Sequence, residues 1–403
     1  MDDGHLPGTT GYRRIVAALF VAGLATFAML YSTQALLPEL ADDFGVSTAA
    51  STLTLSLTTL GLGLALLVAG PASELLGRTR LIHGSLAASA VVALACATAP
   101  TWSSVLVLRF AEGVALAGLP AVATAYLREE LHASSHARAA GLYIGGTALG
   151  GMTGRLLTGA VGEVAGWRWA LAASGLLAVG CALAVRALLP ASTHFVPSPP
   201  GLRQVLRRTA QAVSDPALLA LYGIGGCSMG MLVAVFNTLG FRLEAEPFHL
   251  GLGAASLVFL VYPIGTVSSA VSGRMADRLG RRSVLPTGCV LALAGLLLTL
   301  APSLPLVVAG LGLLVAGFFV VHGIASGWVP ARAYAGGVSA AQAASLYLFA
   351  YYLGSSVFGS VAGPAWAGAG WSGVVVLSVL LLAVTAVLAQ VLRRTPVISR
   401  PVA

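Results

Sequence analysis

The sequence predicts an all-α membrane protein with twelve transmembrane helices in two pseudo-symmetric six-helix bundles. The first observation behind this prediction is composition, because 57% of the 403 residues are apolar and only 9% are charged, whereas about a quarter of the residues of a soluble domain are charged. The second is a series of about twelve apolar runs, each long enough to cross a bilayer core of about 30 Å. The third is a basic loop that occurs once in each half of the chain.

The apolar runs give the positions of the twelve spans. They lie near 13–38, 49–70, 81–99, 103–126, 139–162, 168–189, 217–241, 253–272, 284–301, 304–329, 341–363 and 371–392. The first run is longer than the apolar part of a secretory signal and lacks a clear small-residue cleavage site, so we expect it to remain as a span. The predicted domains are an N-terminal bundle (1–190), a linker (191–216) and a C-terminal bundle (217–403).

The linker between the halves has two parts of different character. Its first part, PASTHFVPSPPG, contains four prolines and therefore cannot form a regular helix. Its second part, LRQVLRRTAQAV, places apolar side chains on one helical face and arginines elsewhere. The apolar face consists of Leu202, Val205, Leu206 and Val213, and the arginines are Arg203, Arg207 and Arg208. We expect this second part to form a helix that lies on the membrane surface.

The distribution of positive charge predicts the orientation of the chain. All 22 basic residues are arginine, and most of them fall in cytoplasmic segments if the N-terminus is inside, whereas Arg168 and Arg242 fall outside. This bias predicts that both termini are cytoplasmic. The net charge of +8 is spread through short loops and indicates contact with anionic membrane lipid, and it argues against a nucleic-acid partner. The Ala-, Gly- and Arg-rich composition favours a bacterial inner (plasma) membrane.

The repeated basic loop follows the second span of each half. Four positions match between the copies: Gly70 with Gly273, Glu74 with Asp277, Gly77 with Gly280, and Arg78 with Arg281. Glycine permits a tight turn, and the acid can interact with the positive N-terminal end of a neighbouring helix. The loop either forms a cytoplasmic gate through such contacts or only fixes the membrane topology with its arginines.

Twelve spans, a central linker and this loop resemble the major facilitator superfamily over essentially the whole chain. The loop motif of that family, G-x-L-A-D-R-x-G-R-R, is matched from Gly273 to Arg282 and includes Arg278, with Met275 in place of leucine. In the first copy, Glu74 replaces the aspartate and Leu75 replaces the arginine that follows it. The resemblance implies the major facilitator fold and transport of a small-molecule substrate, as in other transporters built from parallel halves.

Span 4 contains the segment VLVLRFAEGVALAG, which is similar to the second motif of the family at Arg109 and Gly113. Arg109 and Glu112 are three residues apart and therefore share a helix face. A charge near the middle of the membrane costs about 2.5–3.5 kcal/mol on insertion scales, so such charges usually face a cavity or a partner. Glu112 is the leading candidate for proton coupling, and the alternative is a static ion pair with Arg109.

Span 5 resembles the glycine-rich motif that marks antiporters in this superfamily. The matching glycines are Gly141, Gly150, Gly154 and Gly159. Gly146, Gly150 and Gly154 also form a GxxxGxxxG face, which permits close approach of a neighbouring helix. Arg155 stands where the family has a proline. It either pairs with Glu112, binds an anionic part of the substrate, or has a purely structural role.

Other polar and aromatic residues of the spans are candidates for the substrate cavity or for proton transfer. Spans 1, 4, 7 and 10 line the cavity in this superfamily, so Gln34 in span 1 and Asn237 in span 7 are candidate substrate contacts. Tyr31 in span 1 and Tyr347 and Tyr351 in span 11 are candidates for its aromatic surface. The two amides could equally form interhelical hydrogen bonds, and the aromatic side chains could equally serve packing. His322 is a candidate for proton transfer or a hydrogen-bonded packing residue.

Within the superfamily, the segments GMTGRLLTG, WRWAL and FLVYPIGTVSSAVSGRMADRLGRR resemble bacterial efflux permeases near the proton-coupled drug antiporters. Many of those proteins carry an acid in span 1, where this chain has Gln34, with Glu39 at the outer end. Proton coupling then depends on Glu112 alone or is shared with Glu39.

The resemblance implies export of a small amphipathic compound by proton antiport and alternating access, and uptake or facilitated transport of a small organic anion is the alternative. No catalytic or nucleotide-binding motif occurs in the sequence, so we expect neither an enzyme nor an ATP-driven pump. We also expect no cofactor, no metal and a monomer.

Overall fold

The computed structural model describes residues 4–195, 197 and 201–395, and these residues form sixteen α-helices with two short 3₁₀ turns. The helices that precede the linker are α1 (Thr10–Leu30), α2 (Leu37–Phe44), α3 (Thr48–Ser51), α4 (Leu53–Leu76), α5 (Arg78–Ala97), α6 (Trp102–Leu116), α7 (Gly118–Glu130), α8 (His136–Ala165) and α9 (Trp167–Leu188). The remaining helices are α10 (Leu202–Ser214), α11 (Pro216–Glu244), α12 (Leu252–Ser256), α13 (Pro263–Leu279), α14 (Arg281–Leu298), α15 (Leu304–Ala335) and α16 (Ala340–Arg394). Residues 196 and 198–200 of the predicted linker, and residues 1–3 and 396–403 at the predicted cytoplasmic termini, lie outside the described residues.

The helix lengths give the twelve crossings that the sequence predicts. Ten helical stretches are long and apolar enough to cross a membrane. One of them, α16, has 55 residues and is broken at Ala369 and Gly370; at 1.5 Å per residue it is about 80 Å long, enough for two crossings of a bilayer core of about 30 Å. The glycine-rich α8 is not among the ten, but its 30 residues are long enough for one more crossing.

Proline explains two interruptions inside the spans. A proline lacks the backbone N–H and its ring clashes with the carbonyl four residues earlier, so a regular helix cannot pass through it unchanged. Pro120 follows the junction of α6 and α7, and Pro263 begins α13. The predicted spans 4 and 8 are therefore each built from consecutive shorter helices.

The described chain divides into two compact units. Unit 1 consists of Met1–Val46, Leu57–Pro200 and Gly251–Phe259, and unit 2 consists of Ser47–Ser56, Gly201–Leu250 and Leu260–Ala403. Relative to the halves predicted from the sequence, two short segments are therefore exchanged: the start of span 2 belongs to unit 2, and the start of span 8 belongs to unit 1.

Glycines create the tightest helix contacts in unit 1. A Cβ atom added at any of three glycines of α8 would almost touch a backbone carbonyl oxygen of α1. The distances are 2.3 Å from Gly146 to Phe20, 2.2 Å from Gly150 to Leu24 and 2.3 Å from Gly154 to Ala28. Only glycine fits at such distances, and close approach of two backbones is the usual reason for a GxxxG face inside a membrane. The GxxxGxxxG face of α8 therefore lies directly against α1.

Equivalent glycines pack the helices of unit 2. A Cβ atom at Gly354 of α16 would lie 2.0 Å from the carbonyl oxygen of Gly226 in α11. Further along α16, a Cβ at Gly363 would lie 2.3 Å from Cα of Ala49, in the exchanged start of span 2. In unit 1, a Cβ at Gly159 of α8 would lie 2.3 Å from Cβ of Ser256, in the exchanged start of span 8. Each exchanged segment thus packs on a glycine of its unit.

Candidate functional site

A buried ion pair lies inside unit 1, on one face of α6. The guanidinium Nη1 of Arg109 is 2.5 Å from Oε2 of Glu112, and the side chains are 1% and 0% exposed. The spacing of three residues brings the two groups together on the same helix. The first turn of α6 is fixed by a capping box between Thr101 and Ser104. The sequence-predicted pairing of Arg109 with Glu112 is therefore present.

Arg109 also contacts the C-terminal end of α1. Its Nη2 donates to the carbonyl oxygen of Leu30 (3.0 Å), and its Nη1 lies 3.4 Å from the carbonyl oxygen of Met29 and 3.3 Å from the hydroxyl of Ser32. The last carbonyls of a helix have no partner within the helix and carry a partial negative charge, so a guanidinium is favourable there. Sequence reasoning missed these contacts because no motif marks the end of α1 inside its long apolar run.

The two oxygens of the Glu112 carboxylate have different surroundings. Oε2 is held by Arg109 and lies 3.9 Å from Sγ of Cys96. Oε1 is buried and receives no hydrogen bond from any residue that the structure describes. A proton can therefore be added to Oε1 without displacing Arg109 from Oε2.

Arg155 forms a second buried cluster in unit 1. Its side chain is 2% exposed; Nε donates to Oε1 of Gln34 (2.6 Å), and Nη1 donates to the carbonyl oxygen of Gly151 (2.7 Å). The guanidinium carbon lies 4.0 Å from the ring centroid of Tyr31 and 5.0 Å from that of Phe259. Within the described part of unit 1, Glu112 forms its ion pair with Arg109 and none with Arg155.

Aromatic side chains of α15 and α16 surround His322 in unit 2. Nδ1 of His322 is 2.9 Å from the hydroxyl of Tyr347. The imidazole stacks on Phe318, with ring centroids 5.6 Å apart and an interplanar angle of 4°, and its centroid is 4.8 Å from that of Tyr351. The structure therefore brings together three of the candidates predicted from the sequence, and adds Phe318, which lies four residues before His322 on the same helix face.

Asn237 is a buried interhelical contact in unit 2. Its side chain is 1% exposed, and Nδ2 lies 3.4 Å from the carbonyl oxygen of Gly359 on α16. This contact favours the packing interpretation of the amide, whereas Gln34 is placed beside Arg155 in unit 1.

Glu39 lies on α2, apart from the spans. Its Oε1 accepts a hydrogen bond from the backbone N–H of Trp167 at 2.8 Å, and its Oε2 is buried without a donor among the described residues. Burial is the main cause that raises the pKa of Glu39, and the charge of Asp43 adds to it, against the effect of the Trp167 N–H. The carboxyl group of Glu39 therefore takes up a proton more readily than an exposed glutamate.

The two copies of the repeated loop differ in their surroundings. Gly77 and Gly280 both adopt positive φ angles, +86° and +82°, which explains why glycine is needed there. In the first copy, Arg78 is buried and pairs with Glu74 (2.5 Å) and Glu129 (2.9 Å). The corresponding second copy is exposed, with Asp277, Arg278 and Arg281 all accessible. Gly70 and Gly273 have open space around them.

The described residues contain no group of three or more His, Cys, Asp or Glu side chains that could hold a metal ion.

A helical membrane protein whose buried charges lie within its spans has the design of a secondary transporter. The sequence model of the Major Facilitator Superfamily matches residues 19–269 of this chain. The chain belongs to this family. It is a multi-pass membrane transporter and not an enzyme, as the sequence predicts.

Relatives and solved structures agree with this assignment. The chain is 39% identical to the uncharacterized MFS-type transporter YybF of Bacillus subtilis over 351 residues, which cover 87% of this chain and 86% of YybF. It is also 39% identical to the inner membrane transport protein YnfM of Escherichia coli over 350 residues, with 87% and 83% covered. A bacterial homologue of the human lysosomal transporter Spinster shares the fold, with a TM-score of 0.74 at 14% identity over 95% of this chain and 97% of that one.

Proposed function

We propose that this transporter exports a small amphipathic compound by proton antiport, with Glu112 as the proton-carrying group. The observation that carries the proposal is the buried pair of Arg109 and Glu112, in which Oε1 of the carboxylate has no donor among the described residues. A charged group without full compensation is costly inside a membrane, so its retention there favours a functional role.

A continuous set of contacts inside unit 1 links the proposed proton site to Arg155. Arg109 joins Glu112 to the end of α1 at Leu30, and the next residue, Tyr31, lies under the guanidinium of Arg155. A proton on Glu112 would remove the negative charge that faces Arg109 and weaken its hold on the guanidinium, relative to the contacts of Arg109 with the end of α1. We propose that the resulting shift of the α1 end changes the position of Tyr31 and Gln34, and thereby couples protonation to substrate binding.

The proposed substrate contacts differ between the units. Within unit 1, the proposed contacts are Arg155, Gln34 and Tyr31. Within unit 2, they are the aromatic cluster of His322, Tyr347 and Tyr351. Cationic and aromatic side chains suit a compound with both polar and apolar parts. We further propose that the protein acts as a monomer in a bacterial inner membrane, with both termini in the cytoplasm, because its arginines are concentrated in the loops of one side.

The experiment that tests the proposal is substrate-triggered proton movement in proteoliposomes that contain a pH-sensitive dye. A panel of amphipathic compounds is screened with the wild type, Glu112→Gln and Asp42→Asn. Asp42 is an exposed acid on α2 with no side-chain hydrogen bond or ion pair to another described residue, so its amide variant controls for the loss of one carboxylate. We expect proton flux in the wild type and in Asp42→Asn, and no flux in Glu112→Gln.

Compound transport without a pH change in both the wild type and Glu112→Gln would contradict proton coupling. Transport of labelled organic anions under those conditions would support the alternative, uptake or facilitated transport of an anion, for which the buried guanidinium of Arg155 is the motivating feature. Reconstitution at equal protein density, checked by quantitative immunoblotting, keeps the variants comparable.

A further inference from the structure

Helix α10 (Leu202–Ser214) presents one side to the protein and another to its surroundings. The protein-facing side includes Ala212, which is fully buried, and Thr209, whose hydroxyl accepts a hydrogen bond from Nε2 of Gln342 on α16 at 2.9 Å. This side attaches α10 to the cytoplasmic ends of unit 2 in the proposed orientation.

The outward side of α10 is amphipathic. Leu206 is 60% exposed and Val213 is 42% exposed, and they are separated by about two helical turns, so they lie on the same face. Arg203 and Arg207 are exposed next to this apolar stripe and are one turn apart from each other. An apolar stripe bordered by arginines is the arrangement of helices that lie in a membrane interface.

The contacts at the end of α10 keep this stripe pointing outward. Asp215 accepts a hydrogen bond from the backbone N–H of Ala217 at 2.8 Å and therefore caps α11. Its other oxygen accepts from Nε of Arg332 on α15 at 2.8 Å. In the first turn of α11, Leu219 is 48% exposed. The stripe therefore ends next to the lipid-facing surface of a membrane-spanning helix.

We propose that α10 binds the anionic lipid headgroups of the cytoplasmic leaflet, with Leu206 and Val213 inserted among the acyl chains and Arg203 and Arg207 bound to the phosphates. Charge complementarity selects this occupant, because the cytoplasmic leaflet is the anionic one and each nearby arginine strengthens attachment about fivefold. The proposal depends on the orientation given under Proposed function. It does not depend on the transported compound or on proton coupling.

The contacts of Asp215 give this binding a structural consequence. The residue connects α10 to α11 and α15, so attachment of α10 to the lipid would hold the ends of both helices in place. Anionic lipid would then act as a ligand of unit 2.

The test is the depth of a spin label at Val213→Cys in the full chain, with the four native cysteines replaced by alanine. Depth is read as the accessibility of the label to oxygen and to a water-soluble nickel complex. The protein is reconstituted into vesicles of phosphatidylcholine alone or of phosphatidylcholine mixed with phosphatidylglycerol. We expect the label to be immersed in the mixed vesicles, and the ratio of immersed to water-exposed label to fall about fivefold for each arginine removed in Arg203→Gln and Arg207→Gln.

The double variant Arg13→Gln/Arg138→Gln is the matched control, because both arginines are exposed elsewhere on the chain and have no side-chain contact among the described residues. It should leave the ratio unchanged. A label that is equally water-exposed in both vesicle types, or insensitive to Arg203→Gln/Arg207→Gln, would overturn the proposal. A label that becomes immobile only at high protein density would indicate contact with a second copy and would also overturn it.

Discussion

Removal of only one partner of the Arg109–Glu112 pair should lower the free energy of unfolding by a predictable amount. Loss of one member of a buried pair leaves an uncompensated charge and destabilises a protein by about 3–5 kcal/mol, whereas an apolar replacement of both is often tolerated. We expect Glu112→Leu and Arg109→Met each to lower the unfolding midpoint in detergent strongly. The double variant should be less destabilised than either single variant, although it loses the contacts of Arg109 with α1.

A thermodynamic cycle of the four proteins measures this coupling directly. Strict additivity of the two single effects would mean that the charges do not interact in the folded protein, in contradiction to their 2.5 Å separation.

The raised pKa of Glu39 predicts how the stability of the protein depends on pH. Its pKa is raised in the folded protein, mainly by burial, so the folded state binds this proton more readily than the unfolded state. The stabilisation is fully present below the ordinary pKa of a glutamate and is lost as the pH rises through the raised value. We expect the unfolding midpoint of Glu39→Gln to depend less on pH than that of the wild type above the ordinary range of the carboxyl group.

The control for this pH series is Asp42→Asn, which changes an exposed acid on the same helix. Its pH profile should match the wild type. A Glu39→Gln profile that runs parallel to the wild type at every pH would show that Glu39 does not contribute to the dependence.

At the residue scale, local pairs could be predicted from the sequence and distant ones could not. The spacing of Arg109 and Glu112 predicts their pairing because helix geometry alone brings them together. The contact of Arg155 with Gln34 joins residues 121 positions apart, and it depends on how α8 packs on α1. The sequence therefore left open whether Arg155 pairs with Glu112.

At the scale of helices, the contact of α8 with α1 predicts opposite effects of two identical substitutions. Gly150→Ala would place a Cβ 2.2 Å from the backbone oxygen of Leu24, so the helices must move apart. Gly141 is in the same helix and has nothing within 4 Å of its Cβ position. We expect Gly141→Ala to be neutral or to stabilise by up to about 1 kcal/mol, and Gly150→Ala to lower the unfolding midpoint. Equal midpoints for the two variants would exclude a tight α1–α8 interface.

The carboxylate of Glu130 accepts four of the hydrogen bonds that hold the segment after α9 on unit 1, where Tyr126 also donates to the carbonyl oxygen of Pro190. Glu130 is 1% exposed and accepts hydrogen bonds from the hydroxyls of Ser192 (2.7 Å) and Thr193 (2.8 Å) and from the backbone N–H groups of Thr193 (2.8 Å) and His194 (3.0 Å). No charged or motif residue in the linker sequence indicates this attachment, which joins positions more than 60 residues apart, so sequence reasoning missed it.

We expect Glu130→Ala to loosen residues 192–194 of this segment on unit 1. The backbone N–H groups of Thr193 and His194 would lose their acceptor, so hydrogen–deuterium exchange measured by mass spectrometry should become faster for peptides that contain them. Peptides from α15 should exchange as in the wild type. Asp42→Asn controls for the removal of a carboxylate, and unchanged exchange at residues 192–194 in Glu130→Ala would contradict the proposed attachment.

Across the whole molecule, the two duplicated halves share glycine contacts between helices but differ in their buried polar residues. Gly150 and Gly354 hold equivalent positions against α1 and α11, where each would place a Cβ within 2.2 Å of a carbonyl oxygen. The position that follows the motif glycine Gly154 carries Arg155 in unit 1, whereas the corresponding stretch of α16 contains Gly359. Small residues are needed twice because both bundles require close helix contacts, but a buried charge is retained only where it has a role. This asymmetry favours different tasks for the two units.

The number of crossings and their direction give the last prediction. If α8 crosses the membrane once and α16 crosses it twice, cysteines introduced at exposed positions must alternate between the two sides. In intact cells, a membrane-impermeant maleimide should label Ala165→Cys, at the last residue of α8, and Ala369→Cys, at the break in α16. It should label Ser134→Cys, before α8, and Gln211→Cys, in α10, only after permeabilisation. All four positions are exposed, and the wild type, whose cysteines are buried or half-buried, measures the background. Labelling of Ala369→Cys only after permeabilisation would mean that α16 does not form two crossings, whereas inversion of all four results would retain the twelve spans and reverse the orientation that the arginines predict.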